Sequence, residues 1–216
     1  MNLTFFVSNS ALFAPGHEKE ASKKMSEARP SAMQLGGDIR ALRKARQMTI
    51  GAVAQALGKS VGWLSQVERG MSRITNEELE TLAALFAVPL PLLLPAEDAE
   101  PAERGYIVRA GQRRRMGSRS TDLVEELLAP DLTGDVQALH ATFAPRAAHA
   151  MPPNRDVEEI GYILSGRLIL TIDGTRHDLR RGDSVRLRGD AYTWENPTAN
   201  PTTAIWITTP PFYIKQ

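Results

Sequence analysis

The chain has 216 residues, no cysteine, 26 basic against 25 acidic side chains, and 42% hydrophobic but only 6% aromatic content. That length suffices for two small domains with their own cores, and the composition excludes disordered and collagen-like chains. Without thiols, disulfides, thiolate ligation of zinc or iron–sulfur clusters, and cysteine nucleophiles are all excluded.

A reducing compartment fits a thiol-free chain, and a cytoplasmic location is the expectation. The longest apolar run, Val88 to Leu94, is broken by Pro89 and Pro91 and is far shorter than the roughly 20 residues a spanning helix needs. No membrane partner is expected. Residues Leu3 to Ala14 are partly apolar, but no basic residue precedes them and no small-residue cleavage pattern closes them, so they do not read as a signal peptide. Residues 1–32 read as a flexible tail, with Met25 and Met33 as alternative starts.

From Gln34 to Leu94 the pattern is helical. Leu35, Ile39 and Leu42 recur at i, i+4 and i+7 and form one apolar stripe, with Arg40, Arg43, Lys44 and Arg46 opposite. Thr49 is placed to cap a second helix that turns Val53, Ala54 and Leu57 inward. Gly58 supplies a tight turn and Ser60 the next cap, leading into a third helix from Val61 to Arg69. Thr75-Asn76-Glu77-Glu78 has the spacing of a capping box and opens a helix with Leu79, Leu82, Ala83 and Phe86 on its core face. This part of the chain is predicted to be a bundle of five helices.

After Pro95 an acidic, small-residue stretch to Gly105 reads as a linker over residues 95–105. Beyond it the apolar period changes from 3.6 to 2. Leu139, Ala141 and Phe143 alternate, as do Leu168, Leu170 and Ile172, then Val185 and Leu187, then Ile205 and Ile207. Turn signals stand at Ser165-Gly166, Asp173-Gly174 and Arg181-Gly182-Asp183. Short strands at this spacing predict an all-β sandwich or barrel over residues 106–216. The run Arg113-Arg114-Arg115 reads as a solvated charge cluster.

A helix, a glycine turn and a second helix form the unit that lays its second helix in the DNA major groove. Leu42-Arg43, Thr49 to Leu57, and above all Leu64-Ser65-Gln66-Val67-Glu68-Arg69-Gly70 resemble the phage-repressor-like, Xre-type helix-turn-helix domain. Leu64 and Val67 lie one turn apart and should pack inward, leaving Gly62, Trp63, Ser65, Gln66 and Arg69 on or beside the exposed face. Gln66 offers a donor and acceptor pair suited to adenine, and Val61 and Trp63 suit a thymine methyl, although Trp63 equally fits a core position. Lys59, Ser60, Arg69 and Arg73 are placed for phosphate. The resemblance implies that Glu68 pairs internally with Arg43 instead of reading bases. Between Asp38 and Arg73 seven Lys or Arg face two acids, whereas the remaining chain carries 19 basic and 23 acidic residues, so the near-neutral total conceals a polarised molecule.

In the β region, Glu159-Ile160-Gly161-Tyr162-Ile163-Leu164-Ser165-Gly166, then Gly182-Asp183-Ser184-Val185, then Gly189, Tyr192, Asn196 and Pro197 resemble the two blocks of the cupin jelly roll. Metal-binding cupins carry histidines where this chain has Pro153, Arg155 and Tyr192. Of the usual ligand set the resemblance leaves only Glu159, so no metal and no cofactor are expected. His140, His149 and His177 are not at ligand spacing. His149 is the one nearest the barrel mouth. Arg155 has the guanidinium fork for a carboxylate or phosphate ligand, or else forms an internal salt bridge with Glu159. Tyr192 and Trp194 would supply a hydroxyl and an aromatic wall to a pocket at the mouth.

The two resemblances together imply a non-enzymatic transcription regulator. Its helical domain would read double-stranded DNA at an imperfect palindrome as a homodimer, and its cupin domain would sense a small carboxylate-bearing effector. The alternatives are a metal-dependent cupin enzyme with a DNA-binding domain and an antitoxin-like interaction protein.

Overall fold

The computed structural model describes residues 32–94, 100, 102–116, 121–153 and 156–211. The tail expected over residues 1–32 therefore lies almost wholly outside the described residues, as does part of the linker. Helix α1 covers residues 32–45. It is followed by α2 (Ile50–Ala56), α3 (Val61–Glu68), α4 (Asn76–Leu85) and the single turn α5 (Leu90–Leu93).

Each predicted cap is in place, because each satisfies a backbone N–H that the helix start leaves unpaired. Thr49 accepts from Ala52 N at 3.1 Å and Ser60 from Trp63 N at 3.1 Å. Thr75 and Glu78 exchange both bonds of the capping box. Gly58 makes the α2–α3 turn with φ of 64°, a left-handed conformation that glycine adopts without steric cost. The core of the bundle is Ile39, Leu42, Val53, Leu64, Val67, Leu82, Phe86, Leu92 and Leu93.

The β region forms two antiparallel sheets. The first has strand order β1-β2-β9-β4-β7 and the second β3-β8-β5-β6. The strands are β1 (Leu123–Leu127), β2 (Gln137–Phe143), β3 (Ala148–Met151), β4 (Glu158–Ser165), β5 (Arg167–Ile172), β6 (Thr175–Arg180), β7 (Ser184–Arg188), β8 (Tyr192–Glu195) and β9 (Thr202–Thr209). The inner faces meet through aromatic side chains. Phe143 of the first sheet stands edge-on to Trp194 of the second at 5.0 Å, and Tyr192 of the second stacks on Trp206 of the first at 6.4 Å. The β region is thus a sandwich of two facing sheets.

Strand β9 corrects one detail. Its alternation was read from Ile205 and Ile207, but the buried parity is Thr202, Ala204, Trp206 and Thr208. Both faces of this strand carry apolar residues, so the period alone does not say which face is inside.

The two regions meet at a polar seam. Arg114, taken above as part of a solvated run, is buried, and its Nη1 donates to Asp38 Oδ2 of α1 at 2.7 Å and to the Leu92 carbonyl at 2.7 Å. Its Nη2 donates to the Pro130 carbonyl at 2.8 Å. Asp38 accepts in addition from the Leu132 backbone N–H at 2.7 Å, and Gln34 Nε2 donates to the Pro130 carbonyl. Burial pushes the Asp38 carboxyl up from its ordinary pKa, against the opposing pull of Arg114. The surface reading of this run fails at Arg114 alone, Arg115 being exposed and Arg113 half-buried, because a guanidinium can be buried where a carboxylate and two carbonyls absorb its N–H groups.

Candidate functional sites: a helix face and a sandwich cavity

Helix α3 is anchored from below. Leu64 and Val67 are buried, and Glu68 takes a two-pronged pair from Arg43 of α1, Nε to Oε1 at 2.5 Å and Nη2 to Oε2 at 2.9 Å. The hydrogen bonds that Arg43 donates to Glu68 raise its own pKa further, and Glu68 faces inward, as the family resemblance implied. A third support comes from Gly36 of α1. A Cβ there would lie 2.4 Å from the Val67 carbonyl oxygen, so α1 and α3 approach to a distance only glycine permits.

With that side committed to the bundle, the opposite side of α3 faces out. Val61, Gly62, Gln66 and Arg69 are exposed, and Trp63 and Ser65 are half-buried. Lys59, Ser60 and Arg73 flank them, all exposed. Lys59 has two neighbours: its ammonium sits 5.2 Å from the Trp63 ring centroid and 2.7 Å from Glu78, so its charge is shared with α4. Gln66 Oε1 accepts from Ser72 Oγ at 2.8 Å, and Arg69 Nε folds back onto the Ser65 carbonyl at 3.1 Å. The face is therefore partly pre-organised, with the Gln66 amide nitrogen and the Arg73 guanidinium as its outward donors.

Between the sheets lies a small cavity lined by Glu125, Phe143, Glu159, Tyr192, Trp194 and Trp206 among others. Glu159 Oε2 accepts from Trp206 Nε1 at 2.6 Å and from the Tyr192 hydroxyl at 3.3 Å. Trp194 is 1% exposed, and its Nε1–H finds no acceptor among the described residues. Leaving a buried donor unsatisfied costs about 1–3 kcal/mol.

The structure thus brings Glu159, Tyr192 and Trp194 together as expected. His149 is exposed on β3, with its ring 6.3 Å from that of Trp194, and is not among the cavity-lining residues. Arg155 lies outside the described residues. His177 is exposed, and His140 Nδ1 lies 3.7 Å from Glu126 on the outer face of the first sheet. Asn196 is a corner-forming residue, fully buried, with its amide shared among the carbonyls of Phe143, Ala144 and Asn200 at 3.2, 3.1 and 2.8 Å.

Sequence reasoning missed Trp206 and Glu125. The signal for Trp206 was Gly161, which pairs with it across β4 and β9. A Cβ on Gly161 would stand 2.3 Å from the indole, so the glycine makes room for the ring that holds Glu159.

Comparison with known proteins agrees with this division. A helix-turn-helix domain model matches residues 34–95 and a cupin domain model matches residues 139–208. Among curated proteins nothing matches the chain. One similar solved structure is an HTH_3 family transcriptional regulator from Vibrio cholerae, 22% identical over 86% of this chain and 99% of that one, with a TM-score of 0.41. A second is the cupin domain of an XRE family transcriptional regulator from Enterobacter cloacae, 26% identical over 42% of this chain and 99% of that one, at 0.38. A third is the hydroxypropylphosphonic acid epoxidase of S. wedmorenis, 13% identical over 84% and 99%, at 0.41.

Proposed function

We propose that this chain, a helix-turn-helix domain joined to a cupin domain, is an effector-responsive DNA-binding transcription regulator and not an enzyme. The observation that carries the reading is α3: one side is fixed by Leu64, Val67 and the Arg43–Glu68 pair, and the other presents Val61, Gly62, Ser65, Gln66 and Arg69 outward. A helix so held, with basic residues at its flanks, fits the major groove while Arg73 and Lys59 meet the backbone.

The sandwich cavity supports a small-molecule role for the second domain. An unpartnered Trp194 Nε1–H invites an oxygen acceptor, and the aromatic walls suit a small, largely apolar body. A neutral oxygen, a carbonyl or hydroxyl, satisfies that donor beside the carboxyl groups of Glu125 and Glu159.

Homodimerisation is supported by the outer face of the first sheet. Ile160, Tyr162 and Leu164 are exposed there, and Ile160 and Tyr162 pair with Ile207 and Ile205. An apolar strip of this kind suits an isologous contact. It would place two reading helices on half-sites about 34 Å apart.

The test is selection of DNA from a random pool by the full chain, followed by footprinting, together with native mass spectrometry. An imperfect palindrome protected by a dimer, with an organic mass retained on the protein, is the expected result. Retained iron or manganese with turnover would move the assignment to a metal-dependent enzyme. A monomer that selects no DNA and carries another protein would move it to an interaction module.

A further inference from the structure

A second pocket, open to solvent, lies at the seam between the two domains. It is lined by Gln34 of α1 and by Arg104, Ile107, Gln112, Arg114 and Pro130 of the segments that lead into and out of β1. We propose that this seam cavity is a binding site for a small organic anion, an apolar carboxylate, distinct from the sandwich cavity, and that Arg114 is the group that engages it.

A guanidinium carries five N–H donors, and Arg114 uses two at Nη1, on Asp38 and Leu92, and one at Nη2, on Pro130. Its Nε–H and a second Nη2–H have no partner among the described residues, on a side chain that is more than nine-tenths buried and lines the cavity. Side-on donation from such a group matches the two oxygens of a carboxylate. The lining adds two carboxamides, Gln34 and Gln112, and apolar walls from Ile107, Val108, Ala129 and Pro130, with no Asp or Glu among its described residues. Asp38 is turned toward Arg114 and the Leu132 amide, and Glu103 pairs with Arg109.

The position gives the site a consequence that the sandwich cavity lacks. Arg114 is tied through its backbone carbonyl to Leu127 N at 2.8 Å, and its neighbour Met116 N donates to the Glu125 carbonyl at 2.9 Å, so it belongs to the edge of the β domain. Its side chain grips α1, which in turn holds α3 through Gly36 and the Arg43–Glu68 pair. An anion on the free edge of Arg114 engages the same guanidinium that ties Asp38 to Pro130, and so braces the seam that sets one domain against the other. This inference rests on the effector-responsive reading for its biological purpose only; the binding itself requires no DNA.

The experiment titrates the full chain with sodium hexanoate, and with hexan-1-ol as the uncharged counterpart at matched ionic strength, following the melting temperature by calorimetry. Hexanoate should give a saturable shift of about 2–4 °C, and hexanol none. Gln112→Glu, which sets a carboxylate in the lining, should abolish the shift while the ligand-free protein melts as a folded chain. Arg114→Lys, which keeps the charge but loses the fork, should weaken hexanoate at least about tenfold. No saturable response, an undiminished response in Gln112→Glu, or a response that vanishes in Glu159→Gln but survives in Gln112→Glu would each overturn the proposal. None of these outcomes bears on DNA selection, so failure here and failure of the regulator reading are separable.

Discussion

The two halves of this chain use buried polar groups in opposite ways. In the helical domain the inward carboxylate Glu68 is fully matched by Arg43, and every described helix start from α2 to α4 carries a side-chain cap. What is left for function faces outward. In the β domain the inward carboxylate Glu159 is held by two aromatic donors, and the nearby Trp194 Nε1–H meets no acceptor among the described residues. There the interior itself remains chemically unfinished. The contrast teaches where to look: on a recognition helix, function sits on the face the core does not need, while in a sandwich it sits where the core fails to satisfy itself.

Five substitutions break or sharpen that contrast, from the largest effect to the smallest. Glu68→Ala strands Arg43 beside α3, and loss of one partner of a buried pair should cost about 3–5 kcal/mol. The melting of the helical signal at 222 nm should fall by many degrees, with the β-domain tryptophans following only as far as the seam transmits it. Gly161→Ala forces a methyl against Trp206 and should cost about 1–3 kcal/mol by overpacking. Its signature is altered tryptophan emission with the helical signal retained.

Gln66→Ala should lose about 1–3 kcal/mol on the selected palindrome and almost nothing on scrambled DNA, measured by competition binding; equal losses on both would remove Gln66 from base reading. Ser60→Ala removes the α3 cap and should cost about 1 kcal/mol of stability. Arg73→Ala serves as the control on the outward face, weakening all DNA alike and lowering the salt slope by about 1.

The sequence was most legible where local rules suffice. Capping residues, the Gly58 turn and the stripe of Leu35, Ile39 and Leu42 depend on neighbours three or four positions away, and the helices stand where those signals put them. The alternation in β2 and β5 and the Gly166 and Gly174 turns were equally readable. For the sites, the inward pair Leu64 and Val67 and the outward Gln66 follow from helical spacing alone, and the Arg43–Glu68 pair followed from family resemblance.

What the sequence could not decide was every choice that depends on a partner far along the chain. Strand β9 is apolar on both faces, so only its register against β2 and β4 puts Trp206 inside and Ile205 outside. The seam carried a local hint, since Asp38 falls three residues after Leu35 and four before Leu42 on an otherwise apolar stripe. Its partner, however, lies 76 residues away in a run that looks solvated. Local periodicity determines which residues form elements and which face is apolar. Burial of a charge, the depth of an indole and the placing of one domain against another are set by distant groups whose hydrogen bonds and shapes must match, and these only the tertiary structure decides.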